Sequence, residues 1–445
     1  MKRIAPCFFA LLLASPALHA AAPFTYVQSK AFHIPPETTT EESGYFSLCE
    51  GRNGKIYVGT AAYGRNAFLV EFDPATEKMR IVLDAHKLVG LPLEPTGYSA
   101  QSKLHTRNFV GPSGKIYVGT KQGYPTAAEN AALKRGDKIP TYRGGYVLVY
   151  DPASDTSENL GMPMPIESKP AGAKEGDGVI DVTADEARGL IYVITCEEQH
   201  WILYDVKTKK FRELGPILRD QPNTLIDAQG RGTAITKDYQ LARYNPKTDK
   251  VSVDPLLVEG KPFGEVLGAG RVHPDWRITP DGKTAYLQVL NDLRIFRVDL
   301  TGKEGKAVVA TSLGDRIAGV HPDSRGSICL GPDGRVYSAV RVDNKTGFGG
   351  GYLHHLVRHD PKKRAMEDLG VFTVSNPGFF DFKGTQAKNP DGSLRPRHGY
   401  HTLPDGTLTP LHVIMGVIVA RDGSIYATTI YPYSLLKVES VKAKK

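Results

Sequence analysis

One short unit recurs along the chain, and it limits the possible folds more than any other feature. Its clearest form is an apolar strand, a glycine turn and the pattern Lys/Arg–Ile/Val–Tyr–Val/Ser. It occurs at 53–58, 113–118, 188–193, 333–338 and 422–427, with weaker copies at 229–230 and 281–282. An Asn-Gly or Asp-Gly pair between alternating apolar runs predicts a two-residue hairpin turn in which both residues have positive φ.

A second turn, built around Asp or Asn and often followed by Pro, comes after these copies. It occurs at 72–76, 150–154, 204–208, 244–248, 298–301 and 359–361. Each copy therefore offers four short strands and two tight turns, which is one propeller blade. The sequence predicts an all-β fold, a seven-bladed β-propeller. The last copy lacks a strand, and the spare strand at 24–30 is expected to close the last blade and remove two exposed sheet edges.

The N-terminal residues have the three parts of a secretory signal peptide. Met1-Lys2-Arg3 is basic, 8–14 is apolar, and small residues run from 20 to 22. We expect a signal peptide over 1–22, one propeller domain over 23–445, no other membrane-spanning segment, and a periplasmic or extracellular location. We also expect a monomer.

The chain is basic, with 56 Lys and Arg against 48 Asp and Glu and a net charge of +8. Outside the cell this balance favours an acidic partner such as a uronate-containing or sulfated polysaccharide or oligosaccharide, although a merely solvated surface explains it equally well. Aromatic residues do not alternate with a basic stripe, which argues against nucleic acid as the partner.

The long loops are expected on one face of the propeller and the tight turns on the other. The long segments are 122–142, 167–177, 343–351 and 378–411, and long loops on a rigid scaffold commonly carry function. The same face is expected to hold many histidines: His105, His200, His273, His321, His354, His355, His398, His401 and His412.

His105 is the first candidate for catalysis, because it begins the innermost strand of the second blade. Lys103, Arg107, Lys121 and Tyr124 are expected to converge with it across one hairpin. A His or Tyr beside cations suits removal of a proton α to a carboxylate, since the cation stabilises the developing enediolate. The alternative is a hydrogen-bonded structural histidine.

The order His-Pro-Asp-x-Arg occurs twice, at 273–277 and at 321–325. One interpretation is an anion-binding Arg, Arg277 or Arg325, with the His and Asp of its motif as partners, among them His273 and His321. The other is a repeated turn in which the Asp caps backbone N–H groups. Trp276 either stacks on a sugar ring or fills the core. The remaining substrate-binding candidates are Arg143, His200, Tyr400 and His401.

A divalent metal such as Zn²⁺, Mn²⁺ or Ca²⁺ is a candidate cofactor. His354-His355 and 397–401 supply imidazoles, the common ligands of transition metals, but no local metal-binding spacing occurs.

The repeats, together with Lys103-Leu104-His105-Thr106 and Lys121-Gln122-Gly123-Tyr124, resemble secreted bacterial seven-bladed propeller lyases. The nearest groups are the ulvan lyases and, more distantly, the oligogalacturonate lyases. The resemblance implies β-elimination of a uronate-containing glycan, with His105 matching the first His of the ulvan lyase pattern. This chain departs from that pattern at Lys121, where a second His is expected.

Two other classes of function stay open. One is a non-catalytic propeller that binds a glycan or a protein. The other is a metal-dependent lactonase-type hydrolase, for which Asp181, Asn223 and Asp227 are the candidate ligands around the channel.

Overall fold

The computed structural model describes residues 21–92, 96–219, 223–268, 273–325, 327–382 and 399–442. Residues 1–20 of the predicted signal peptide, and with them most of that prediction, lie outside the described residues, as do Arg397 and His398. The all-β prediction is confirmed.

Hydrogen bonding groups most of the described strands into seven antiparallel sets of four, here called blades 1 to 7 in chain order. Blade 1 comprises Glu42–Glu50, Ile56–Ala61, Phe68–Asp73 and Lys78–Asp84. Blade 2 comprises an innermost strand in two parts, Lys103–Leu104 and Phe109–Val110, followed by Ile116–Lys121, Val147–Asp151 and Thr156–Gly161. Blade 3 comprises Gly178–Asp185, Leu190–Cys196, Trp201–Asp205 and Lys210–Glu213. Blades 4 and 5 comprise Leu225–Ile226, Gly232–Ile235, Leu241–Asn245 and Lys250–Asp254; and Pro274–Ile278, Thr284–Val289, Arg294–Asp299 and Val308–Asp315. Blades 6 and 7 comprise Ile328–Leu330, Val336–Asp343, Tyr352–Asp360 and Ala365–Val374; and Ile414–Val419, Ile425–Thr429, Ser434–Lys442 and Tyr26–His33.

The N-terminal strand Tyr26–His33 is the outermost strand of blade 7, as the sequence predicted. It runs antiparallel to Ser434–Lys442, with Lys30 opposite Lys437. It also pairs in parallel with the outermost strand of blade 6, where Tyr26 lies opposite Val371. The strand therefore joins two blades as well as the two ends of the chain.

The glycine turns differ from the two-residue turn that the sequence predicted. Glu50 pairs with Ile56, which leaves residues 51–55 in the turn, and the same spacing recurs at 111–115, 331–335 and 420–424. Within 51–55 only Gly54 has a positive φ, of 79°. The prediction of two positive-φ residues is therefore wrong, because a longer loop needs the left-handed conformation only at its glycine.

The hydrophobic core lies between neighbouring blades. Val147 and Val149 of blade 2, for example, pack in one cluster with Val182 and Val193 of blade 3. Trp276 belongs to the cluster between blades 4 and 5, is fully buried, and donates from Nε1 to the backbone oxygen of Asn223 at 2.6 Å. It fills the core, so it does not present a face to a sugar ring.

The remaining elements are short. They are the α-helices Ala85–Val89, Ala127–Lys134 and Phe263–Leu267, the 3-10 turns Pro36–Thr38, Gly97–Ser99, Ile166–Ser168 and Pro377–Phe379, and the strand pairs Leu256–Val258 with Lys261–Pro262 and Tyr400–Thr402 with Leu408–Pro410. None of the helices in the described ranges is long and apolar enough to cross a membrane.

Candidate functional site in the central channel

An ion pair between Arg107 and Asp275 crosses the central channel. Arg107 belongs to blade 2 and Asp275 to blade 5, and blades 3 and 4 lie between them in the ring. Asp275 also accepts from Arg277 at 2.7 Å. These three side chains are here called the channel plug. The upper end of the channel is the part toward the long loops, and the lower end is the part toward the glycine turns.

The blade 2 strand is interrupted where these side chains enter the channel. Its two parts are Lys103–Leu104 and Phe109–Val110, and residues 105–108 between them are not part of a strand. Asn108 has φ 52° and His273, the residue before the blade 5 strand, has φ 56°. Asn and His are among the non-glycine residues that adopt this left-handed region most often.

Asp181 of blade 3 places a second buried carboxylate beside the channel plug. Its Oδ2 accepts from the Thr183 hydroxyl and the Thr224 backbone N–H, each at 3.2 Å. Burial raises the pKa of Asp181 to about 6, with nearby Asp275 adding to the rise and Arg107 opposing it. Burial raises the pKa of Asp275 to about 6 as well. Buried carboxyls with raised pKa values in a cleft are typical of functional sites.

The upper end of the channel brings together most of the residues that the sequence grouped around His105. His105 is buried, and burial followed by the charges of Lys121, Lys103 and His273 holds its pKa well below the ordinary value. The Phe46 ring meets the His105 ring edge to face at 5.9 Å. The imidazole is therefore neutral at physiological pH and lies among cations.

Lys103 and Lys121 lie directly opposite each other in the blade 2 ladder, and their side chains take different partners. The Lys103 ammonium lies 4.3 Å from the ring centre of Tyr63 and 5.2 Å from that of Tyr124. Tyr124 is 64% exposed, so this cation–π group reaches the surface. Lys103, Tyr63, Tyr124 and His105 are here called the upper cluster.

Lys121 instead turns toward blade 3. Its Nζ lies 2.7 Å from a Glu197 carboxylate oxygen and 2.8 Å from Cys196 Sγ. Burial lowers the pKa of Lys121, but Cys196 and Glu197 outweigh burial and leave the pKa above its ordinary value. Lys121 is a fixed cation whose charge is already balanced within the protein.

The other predicted binding residues do not join the upper cluster. Arg143 pairs with Glu167 at 2.8 Å on an exposed loop, and His321, 80% exposed, pairs with Asp343 at 2.9 Å. Arg325 lies 3.4 Å from Asp323, whose Oδ1 accepts from the Arg325 backbone N–H at 3.3 Å, as the turn alternative predicted.

Tyr400 and His401 lie in the strand pair added to blade 6, away from the channel plug. Tyr400 is fully buried in the core between blades 6 and 7. Burial lowers the pKa of His401, whose ring contacts the Tyr352 backbone. Both therefore stabilise the fold around blade 6 rather than line the channel.

His200 belongs to an acidic cluster in blade 3 with metal-ligand spacing. Ligand atoms of Asp177, Glu198 and His200 lie within 4.8 Å of one another. Lys169, however, already binds Asp177 at 2.6 Å and Glu198 at 3.2 Å. The Lys169 ammonium group thus occupies the position that a metal ion would take, and the cluster does not fit a metal without displacing Lys169.

The lactonase-type ligand set is only partly assembled. Asp181 and Asn223 line the channel. Asp227 instead binds Arg231 at 2.7 Å and accepts from backbone N–H groups of its own turn. The three candidate ligands therefore do not form one site.

The sequence did not indicate Asp275 as a partner of Arg107, or Glu197 and Tyr63 as partners of Lys121 and Lys103. The motif His-Pro-Asp-x-Arg offered Asp275 only as a partner of Arg277 within the same segment or as a turn cap. Tyr63 and Glu197 lie in segments without a recognisable motif, and they reach the site from blades 1 and 3.

Asp181→Asn should stabilise the protein at neutral pH. A carboxyl whose pKa is raised in the folded protein lowers the free energy of unfolding as the pH rises from about 4 to about 6. Above that range the full destabilisation remains. The amide keeps an oxygen for Thr183 and Thr224 and removes the buried charge. Urea unfolding at pH 8 should show a gain on the order of 2 kcal/mol, and the gain should vanish near pH 4. Asp137→Asn, an exposed control, should change little; a less stable Asp181→Asn at pH 8 would contradict the assignment.

No family model and no curated protein matches the chain. Among solved structures it is similar to the β-propeller domain of Cps50 (Swd1) from Myceliophteria thermophila, at 10% identity and a TM-score of 0.51, over 90% of this chain and 97% of that chain. The fold is that of a β-propeller. The propeller is also similar to the WD40 β-propeller domain of Doa1 (10% identity, TM-score 0.44, 95% and 98% covered) and to the periplasmic gluconolactonase PpgL of Pseudomonas aeruginosa (14%, 0.43, 88% and 99%).

Proposed function

We propose that the propeller binds a uronate-containing glycan at the upper end of the channel and cleaves it by β-elimination, with His105 as the base. The observation that carries the proposal is the neutral, buried imidazole of His105 among Lys103, Lys121 and His273. A base that stays unprotonated beside fixed positive charge is what abstraction of a proton α to a carboxylate requires.

The reaction assigns a role to each member of the upper cluster. The neutral His105 takes the proton from the carbon that bears the carboxylate. A carbon–carbon double bond forms as the bond from the neighbouring carbon to the glycosidic oxygen breaks, and the leaving oxygen takes a proton from water. Lys103 stabilises the negative charge that develops on the carboxylate. The exposed ring of Tyr124 offers a stacking surface for a neighbouring sugar. The resemblance to ulvan lyases and the basic charge of the chain support the same substrate class.

The predicted export agrees with this substrate. A signal peptide over 1–22 would carry the protein to the periplasm or out of the cell, where acidic polysaccharides are met.

A second candidate, a propeller that binds an acidic glycan without cleaving it, is favoured by one observation. Three cations that the sequence assigned to the substrate carboxylate are held by internal acids: Lys121 by Glu197, and Arg107 and Arg277 by Asp275. A substrate carboxylate can form an ion pair with Lys121 only if it displaces Glu197.

The test is incubation of the purified protein with ulvan, pectin and glycosaminoglycans, followed by the ultraviolet absorbance of the unsaturated product. Product from any of them supports the lyase. Binding without product, with an affinity that falls as salt rises, supports the non-catalytic propeller. Neither product nor binding overturns both. Glu197→Gln should raise the rate of product formation, or the affinity if the protein only binds the glycan, because it frees the Lys121 charge. The matched control is Glu167→Gln, which changes an exposed ion pair elsewhere.

A further inference from the structure

The lower end of the channel holds a second cavity, separate from the upper cluster. It has a volume of about 800 Å³ and is lined by residues of the innermost strands of all seven blades and of the turns that follow them. Arg52, Pro112 and Pro280 at its rim are exposed, so it reaches solvent on the glycine-turn face. This size is within the usual range for sites that bind small molecules.

Two deeply buried side chains that line this cavity have polar atoms without a hydrogen-bond partner among the described residues. They are Nδ2 of Asn108 and Oδ1 of Asn223. The residues are only 5% and 7% exposed. Each buried polar atom left without a partner costs about 1–3 kcal/mol. Together they offer one donor and one acceptor to a ligand in the cavity.

Their other atoms are already engaged. The side-chain oxygen of Asn108 accepts from the Ser47 hydroxyl at 2.6 Å. The backbone oxygen of Asn223 accepts from Nε1 of Trp276 at 2.6 Å. If the Asn108 amide is turned over, Ser47 accepts instead and the free atom becomes an acceptor. A hydroxyl group can donate or accept, so it satisfies either orientation.

The charge around the closed end is balanced and the walls are apolar. Arg107 and Arg277 face the carboxyls of Asp181 and Asp275, which gives no net charge when both carboxyls are ionised. The walls carry apolar side chains: Phe109, Val182, Leu225, Ile278, Leu330 and Ile418. A neutral ligand with hydroxyl groups at one end and apolar carbon–hydrogen surface along its body matches this lining, and an additional charge would be desolvated without a free counter-ion.

We propose that this lower cavity binds a neutral hydroxylated molecule of monosaccharide size, with its hydroxyl groups on Asn108 and Asn223. The site lies on the opposite side of the channel plug from His105 and does not depend on the lyase proposal. The protein thus has two ligand sites on one axis, an upper one for an acidic glycan and a lower one for a neutral sugar.

The test is isothermal titration of the full mature protein with D-glucose, D-galactose and L-rhamnose, and with D-glucuronate as the charged counterpart. At least one neutral sugar should bind saturably in the millimolar range, and D-glucuronate should bind more weakly. Asn223→Leu should weaken that binding by about tenfold or more. It should keep or raise the melting temperature, because leucine of similar volume removes an unpaired buried polar group.

Asn130→Leu makes the same substitution at an exposed position and should leave sugar binding unchanged. Absence of saturable binding by every neutral sugar overturns the proposal and leaves a solvent-filled cavity. Tighter binding of D-glucuronate, or an Asn223→Leu variant that binds the sugar as the wild type does, overturns it equally.

Discussion

His105→Ala should lower the turnover of a uronate glycan by about two orders of magnitude or more, since a general base contributes ~10²- to 10⁴-fold. The buried imidazole is a neutral base among Lys103, Lys121 and His273. Initial rates of unsaturated product measure the effect, and the melting temperature reports whether the fold is kept. His321→Ala, which removes an exposed histidine, should leave the rate unchanged.

The pH dependence gives a second measure of the same residue. A base must be unprotonated to act, and the pKa of His105 lies well below the ordinary histidine value. Activity should therefore persist as the pH falls through the range in which an ordinary histidine becomes protonated. Full activity in His105→Ala, or a steep loss of wild-type activity at the ordinary histidine pKa, would remove His105 from the mechanism.

A chain that starts at Ile34, without the strand Tyr26–His33, should fail to fold. That strand supplies the outer edge of blade 7 and pairs with both Ser434–Lys442 and the outermost strand of blade 6. It buries Val27 and Ala31 in the core between blades 6 and 7. Its loss exposes a strand edge on each side. It also removes the stabilisation from burial, which is about 1.5–3 kcal/mol for Val27 alone.

Near-ultraviolet circular dichroism and gel filtration should show a truncated chain that is aggregated or lacks fixed tertiary structure. A synthetic peptide spanning 24–33, added during refolding, should restore the native signal. The control chain starting at Phe24 keeps the strand and should fold like the mature protein. A truncated chain from Ile34 that unfolds at the same denaturant midpoint as the control would show that closure by this strand is dispensable.

The repeat determined the fold because its information is local. Each glycine turn and each Asp turn needs only neighbouring residues, as when Asp73 Oδ1 accepts from the Ala75 backbone N–H at 2.9 Å. The missing strand at one end and the spare strand at the other likewise fixed the closure of blade 7 without further information. The detail of the glycine turns was not determined, because an Asn-Gly pair is compatible with loops of different length.

The tertiary structure alone decided which polar groups meet. Arg107 and Asp275 are 168 positions apart, and they pair because a closed ring brings innermost strands of distant blades to one axis. The same closure turns Lys121 toward Glu197, sends Trp276 into the core, and leaves Asn108 and Asn223 around one cavity. A turn motif or a two-residue alternation predicts where a strand lies and which face a side chain is on. It does not predict how deep in the channel that side chain lies or which blade is opposite it. The partners of side chains at the channel axis therefore follow only from the assembled ring.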